Sequence, residues 1–108
     1  MDKKNINKKV KKLNYKELAK MYRVFSSPAR LEIVFTLVNG EQSFANLLKI
    51  LKVKKSNLSQ HVTLLKLMNF IETRYEGRNL YCFVRNPKII KMIKIFRKVL
   101  EEKEVRVK

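Results

Sequence analysis

Apolar residues recur every three or four positions through the first two-thirds of the chain, a spacing that predicts amphipathic helices. Four such stretches lie over residues 15–26, 28–38, 44–51 and 56–68. Each begins at, or directly after, a residue whose side-chain oxygen can accept from the free N–H groups of a first helical turn. These predicted caps are Asn14, Ser27, Ser43 and Ser56. The predicted left-handed helix stops are Gly40 and Asn69.

The apolar period shortens to two after residue 70. Ile71, Thr73 and Tyr75 alternate with charged neighbours, which is typical of a half-buried strand, and residues 80–84 read as its return strand. Between them, Glu-Gly-Arg-Asn at 76–79 is a hairpin turn signal. A last helix begins at Asn86-Pro87. The predicted order is therefore α-α-α-α-β-β-α, a mainly α domain with a small β-hairpin (α+β).

Helices three and four are separated by only a few residues, so they form a helix-turn-helix. A hairpin directly after the second of them makes the arrangement a winged helix-turn-helix. With 108 residues, 45% of them hydrophobic, the chain is long enough for one domain with one modest core. No apolar run approaches the roughly 20 residues of a membrane span.

A formal net charge of +17 bears on the binding partner of the protein rather than on its fold. Between Glu41 and Glu72 there is no acidic residue, and an acid-free surface is what phosphates require. Such charge favours nucleic acid, with an anionic membrane surface as the weaker option. A solvated lysine face without a partner is the structural alternative.

The second helix of a helix-turn-helix enters the major groove, where its exposed side chains contact base edges. Here that helix is predicted over 56–68. Its polar side chains near the N-terminus are those that bond bases or phosphates, namely Asn57, Ser59, Gln60 and Thr63. Lys54 and Lys55 precede it and are expected at the DNA backbone. Arg78 and Asn79 flank the hairpin turn and give the wing a donor-rich tip.

Three segments resemble the ArsR family (ArsR/SmtB-type) of winged-helix repressors. FSSPARLEIV at 25–34 looks like the family's DPTRLRIL opening, and VKKSNLSQHVTLL at 53–65 resembles its LSQSTVSRHLKVL recognition segment. YEGRNLY at 75–81 resembles its REGRWVYY wing. The resemblance spans residues 15–100 and puts the following residues at the DNA: Ser56, Asn57, Ser59, Gln60, His61 and, at the wing tip, Arg78.

The resemblance also implies a homodimer whose first and last helices form the interface. The last helix supports this independently, because its apolar residues cover too much of its circumference for one small core to hide. The expected interface residues are Leu18, Tyr22, Ile89, Ile93, Phe96 and Leu100. A helix lying on a membrane surface is the alternative for this segment.

No metal or cofactor is expected. Metal-sensing relatives carry a Cys-x-Cys pair in the third helix, where this chain has Ser43 and Ala45. Residues 86–104, where other relatives place ligands, contain neither His nor Asp, and a lone His61 cannot assemble a site of three or four ligands. Cys82, the single cysteine, is expected as a small buried hydrophobe on the inward face of the hairpin. No arrangement of residues points to an enzyme.

We therefore expect a sequence-specific double-stranded DNA-binding transcriptional regulator, a homodimeric repressor in the cytoplasm, associated with the nucleoid. Residues 1–12 are predicted to be a flexible basic arm, 13–104 the DNA-binding and dimerisation domain, and 105–108 a polar tail. Two alternatives stay open: a sequence-tolerant architectural DNA-binding protein on the same fold, and a small RNA-associated protein. The ratio of cognate to non-cognate affinity distinguishes the architectural protein from the sequence-specific regulator. A comparison of binding to duplex DNA and to RNA distinguishes the RNA-associated protein from it.

Overall fold

The computed structural model describes the backbone of residues 13–107 and the side chains of residues 13–102. The predicted arm over 1–12 lies outside the described residues. The described helices are α1 (Tyr15–Val24), α2 (Pro28–Asn39), α3 (Phe44–Leu51), α4 (Lys55–Leu67) and α5 (Pro87–Val107). The strands are β1 (Gln42–Ser43), β2 (Glu72–Glu76) and β3 (Asn79–Phe83). The predicted winged helix-turn-helix order is confirmed, with one additional short strand.

Three of the four predicted helix caps are present. Asn14 Oδ1 accepts from the backbone N–H of Lys16 at 3.1 Å. At α2, Ser27 Oγ accepts from the backbone N–H of Arg30 at 3.3 Å. At α3, Ser43 Oγ accepts from the backbone N–H of Asn46 at 3.0 Å. These bonds satisfy N–H groups that a helix leaves free in its first turn.

The fourth predicted cap is wrong. The chain turns through a left-handed Lys52 (φ 55) after α3, which brings Lys54 rather than Ser56 to the cap position of α4. Because Lys54 is at the cap position, α4 begins at Lys55, one residue earlier than predicted. Lys54 has no side-chain oxygen and makes no capping bond. The first-turn N–H groups of α4 therefore lack a side-chain partner.

The helix stops also differ from each other. Asn69 is left-handed (φ 62), as predicted. Gly40 is extended instead (φ 160, ψ 156), because the chain continues from it through Glu41 into β1. That strand has two residues, too short for alternation to reveal it, and it pairs with β3 so that Gln42 lies opposite Cys82.

The three strands form an antiparallel sheet in the order β1-β3-β2. β2 and β3 are joined by Gly77 and Arg78, with Gly77 at φ 60, a conformation that glycine adopts without steric cost. The register pairs Glu76 with Asn79 at the loop and Thr73 with Cys82 in the middle. Cys82 thus sits on the central strand and is fully buried, as predicted.

The core lies between the helices and the inner face of this sheet. Phe25 and Phe70 pack with ring centroids 4.3 Å apart, and they join the end of α1 to the segment before the wing. The fully buried core side chains are Ile33, Val34, Leu47, Leu58, Leu65, Phe70, Ile71, Cys82 and Ile93. This core fixes α4 against α2, and thereby decides which face of α4 meets solvent.

The last helix differs from its prediction in two respects. It continues to Val107, three residues past the expected domain end, so the backbone over 105–107 is helical rather than a separate tail. Ile93, expected at a dimer interface, is 1% exposed and belongs to the core. Within residues 13–107, no helix has the length and apolar character needed to cross a membrane.

Candidate nucleic-acid interface

α4 is anchored on one side and open on the other. Leu58, Val62 and Leu65 are buried against the core. Each residue advances about 100° around a helix, so positions 56, 60, 63 and 67 lie along the opposite face. The residues there, which we call the outer stripe, are Ser56, Gln60, Thr63 and Leu67, and all four are exposed. The stripe carries hydroxyl, amide and methyl groups and no charge.

Cationic and polar groups border the outer stripe. Asn57 and Ser59 are exposed beside it, and so is Lys66. Lys54 and Lys55 are exposed at the N-terminal end of α4, next to the first-turn N–H groups that have no side-chain cap. A helix N-terminus carries a partial positive charge that favours a phosphate. The amide and hydroxyl groups at the centre of this surface suit the base edges of a duplex, and the cations around them suit the two phosphate backbones on either side.

The wing presents one arginine at its tip and uses another for structure. Arg78 and Asn79 are exposed at the hairpin loop. Arg74 instead donates to Glu41 at 2.9 Å and to Glu76 at 3.2 Å, and its guanidinium lies over the ring of Tyr81. Among the ion pairs formed within the described residues, none involves Arg78. A concavity of about 620 Å³ separates the wing from α4.

His61, which is predicted at the DNA, is the one member of that set that is not exposed. It is partly buried, and its Nδ1 is 3.4 Å from Nη1 of Arg30 on α2. Burial lowers the pKa of His61, and the nearby Arg30 charge lowers that pKa further. The predicted DNA-contacting residues therefore divide into nine that are exposed and one, His61, that faces another helix. Arg30 was not among the predicted site residues, because only the tertiary structure brings it to α4.

A second surface lies on the side formed by α1, α2 and α5. It is an apolar groove of about 760 Å³. Five of the six predicted interface residues line it, namely Leu18, Tyr22, Ile93, Phe96 and Leu100. Ile93 forms part of its floor from the core, and Ile89 packs against the core outside the groove. Met21 and Val99 also line the groove, although the prediction omitted them from the interface.

The described residues offer little for metal or thiol chemistry. Between residues 13 and 102, no three side chains of His, Cys, Asp or Glu lie close enough to hold a metal ion. Burial raises the pKa of the Cys82 thiol to about 11, an effect that the charge of Lys66 only partly offsets. A thiol with this pKa stays protonated near neutral pH, so it is a poor nucleophile.

The comparison with known families agrees with this geometry. Residues 27–73 match the model of the bacterial regulatory protein, arsR family. An uncharacterized HTH-type transcriptional regulator of Mycobacterium tuberculosis, Rv0081, is 30% identical over 87 residues, which cover 80% of this chain and 76% of the relative. The arsenical resistance operon repressor of Staphylococcus xylosus is 35% identical over 65 residues, covering 60% of this chain and 62% of that one.

Solved structures share the fold. The crystal structure of Rv0081 superposes with a TM-score of 0.79 at 29% identity, over 87% of this chain and 96% of that chain. The homodimeric winged helix-turn-helix DNA-binding domain of Mycobacterium bovis Mb0332 gives a TM-score of 0.73 at 19% identity, over 82% of both chains. At that identity the second comparison concerns the fold alone.

Proposed function

The chain belongs to the bacterial arsR family of regulatory proteins, and from this membership we propose that it is a homodimeric transcriptional repressor that binds double-stranded DNA of defined sequence. The observation that carries the proposal is the outer stripe of α4. Three buried residues hold this helix so that Ser56, Gln60 and Thr63 point outward together. A core helix without a partner has no need of a polar, acid-free face bordered by lysines.

In the proposed complex α4 lies in the major groove. The Gln60 amide bonds an adenine through its two edge groups, and Asn57 bonds a second base or a phosphate. The Thr63 methyl group packs against a thymine methyl. Lys54 and Lys55 neutralise phosphates beside the free N–H groups of the first turn. Arg78 and Asn79 at the wing tip contact flanking DNA.

The apolar groove supports the homodimer. Tyr22 is 65% exposed, Val99 and Leu100 are each 57% exposed, and Phe96 is 50% exposed. Exposed apolar residues grouped in this way mark an association surface. A second copy of the chain fits it, because a two-fold axis would lay α1 and α5 of one protomer against those of its partner. The two copies of α4 would then reach successive major grooves, about 34 Å apart.

The decisive experiment selects bound duplexes from a random pool and then measures Kd for the selected and a scrambled duplex. We expect a strong preference for the selected duplex. The matched variants are Gln60→Ala on the outer stripe and Lys55→Ala at its border. Gln60→Ala should lower affinity for the selected duplex by about 1–3 kcal/mol and relax preference at one position, whereas Lys55→Ala should weaken both duplexes alike. Equal losses on both duplexes for Gln60→Ala would exclude it from base reading.

The high positive charge favours a second candidate, an architectural protein that coats DNA without regard to sequence. Such a protein would give nearly equal Kd values for the selected and scrambled duplexes, with a steep dependence on salt. An RNA-associated protein, the third candidate, would instead prefer RNA in competition with duplex DNA. The polar residues of the outer stripe, Ser56, Gln60 and Thr63, favour the sequence-specific repressor over both, because phosphate binding alone does not use them.

The proposal extends to location and ligands. A repressor of this kind acts on the chromosome, in the cytoplasm and at the nucleoid. We infer that its DNA binding requires no metal ion and involves no catalysis, since the proposed contacts use only side chains and backbone N–H groups. Addition of a chelator should leave Kd for the selected duplex unchanged.

A further inference from the structure

One guanidinium joins three helices behind the outer stripe. Arg30 lies in the first turn of α2, and its Nε donates to the backbone carbonyl of Val24 at 2.7 Å. Its Nη2 donates to the carbonyl of Arg23 at 3.4 Å, so both bonds end on the last turn of α1. Its Nη1 lies 3.4 Å from Nδ1 of His61 on α4. A planar fork of donors suits this three-way contact better than the single ammonium of a lysine.

The charges around the contact define its chemistry. A guanidinium only donates, so the Nδ1 of His61 must be the acceptor and must carry no proton. Burial and Arg30 both lower the pKa of His61, which keeps the imidazole neutral at pH 7. The other charged side chains nearby in sequence on α1 and α2, Arg23 and Glu32, are exposed. No ion pair within residues 13–102 includes Arg30 or His61.

We propose that Arg30 is a positioning residue for DNA binding, which sets the orientation of α4 relative to α1 through its contact with neutral His61. This rests on the proposed function. The other side-chain contacts that attach α4 to the core are apolar and include those of Leu58, Val62 and Leu65. These contacts keep the apolar face of α4 inward, but they are not directional, so they tolerate a small rotation of the helix about its axis. A hydrogen bond at the edge of the helix limits that rotation. Because α1 lines the dimer groove, the contact links the spacing of the two protomers to the aim of the outer stripe.

The contact gives His61 a pH dependence opposite to that of a phosphate-binding histidine. A protonated imidazole has lost its acceptor and repels Arg30. A smaller fraction of molecules then holds α4 in the orientation that binds DNA, and the apparent Kd rises in inverse proportion to that fraction. A histidine facing the phosphates would instead bind more tightly when protonated. His61 is the only histidine of the chain, so the two cases are separable.

The first test measures Kd for the selected duplex at intervals from pH 7.5 down to the lowest pH at which circular dichroism shows the protein folded, because the pKa of His61 lies below the usual histidine value of about 6.5. For the unmodified protein we expect Kd to rise about fivefold across this range, which corresponds to the loss of one partly buried hydrogen bond to a charged donor. His61→Gln keeps an acceptor across this range and should show no such change. Tighter binding at the lower pH, or no change, would overturn the proposal, provided that circular dichroism shows the protein folded.

The second test separates positioning from charge with Arg30→Lys, which keeps the charge and loses the fork. We expect Kd to rise about tenfold with the salt slope unchanged, because no phosphate contact is lost. Binding equal to that of the unmodified protein would overturn the proposal, and so would a shallower slope. If this variant does not fold, the pH comparison on the unmodified protein decides. Equal affinity of the unmodified protein for selected and scrambled duplexes would instead refute the proposed function, a separate outcome.

Discussion

Truncation of one aromatic side chain in the apolar groove should separate the proposed dimer into monomers. Phe96 lies on α5 and is 50% exposed in the single chain. A phenylalanine side chain buries about 200 Å² when fully covered, so about 100 Å² remains for a partner to cover. At about 25 cal/mol per Å², and allowing for the carbon that alanine retains, Phe96→Ala removes roughly 2 kcal/mol from each protomer.

A two-fold axis doubles this figure. Each dimer contains two copies of Phe96, so the loss is about 4 kcal/mol and the dimer dissociation constant should rise roughly a thousandfold. Sedimentation velocity over a wide range of protein concentration measures that constant directly. The matched control is Lys94→Ala, which removes an exposed side chain from the opposite side of the same helix and should leave the constant nearly unchanged.

The proposed dimer interface fails this test if Phe96→Ala sediments as the unmodified protein does at every concentration. It also fails if Lys94→Ala dissociates to the same extent, because the effect would then belong to the helix rather than to the groove. Thermal unfolding of each variant, recorded at one fixed concentration, shows whether the change acts on the fold, since the stability of a dimer depends on concentration.

Four further predictions concern the core, the thiol and the wing. Leu58→Ala should lower the free energy of unfolding, measured in urea, by about 3 kcal/mol, because Leu58 is fully buried. The control Leu67→Ala, at a residue that is 72% exposed, should change it by less than about 0.5 kcal/mol. Similar losses for both variants would mean that the burial pattern of α4 is wrong. The pKa of about 11 keeps the Cys82 thiol protonated, so at pH 8 a water-soluble disulfide reagent should label it only as fast as the protein unfolds, and immediate labelling would contradict its burial. As pH rises, the thiol ionises in the unfolded chain, near its ordinary pKa of 9.0, before it ionises in the folded protein. The stability due to Cys82 is therefore complete below pH 9 and declines as pH rises toward 11. Cys82→Ala should abolish this decline in urea titrations. Arg78→Ala should weaken binding only to duplexes long enough to include flanking DNA and lower the salt slope by about one, and a loss on short duplexes as well would place Arg78 elsewhere.

The order of elements followed from the sequence because it depends on local signals. Helical and strand periodicity, three caps with a side-chain oxygen, and a glycine in a two-residue loop act over a few neighbouring residues. The predicted exposure of Gln60 and the burial of Cys82 followed from the same periodicity, since burial of one face fixes the other. Strand β1 could not be predicted from the sequence, because two residues show no periodicity and only their pairing with β3 defines them as a strand.

Contacts between distant residues were beyond the sequence. Periodicity placed Ile93 and Phe96 on one apolar helix face, but only packing decided that Ile93 enters the core and Phe96 stays half-exposed. Likewise, both Arg30 and His61 were visible as polar residues, 31 positions apart, and nothing local indicates that they meet. The elements that form and the faces that are apolar could be predicted from the amino-acid order, because they depend on backbone geometry and residue spacing. Packing sets which part of each face is covered and which side chains meet across helices, because that depends on how the helices fill a common volume.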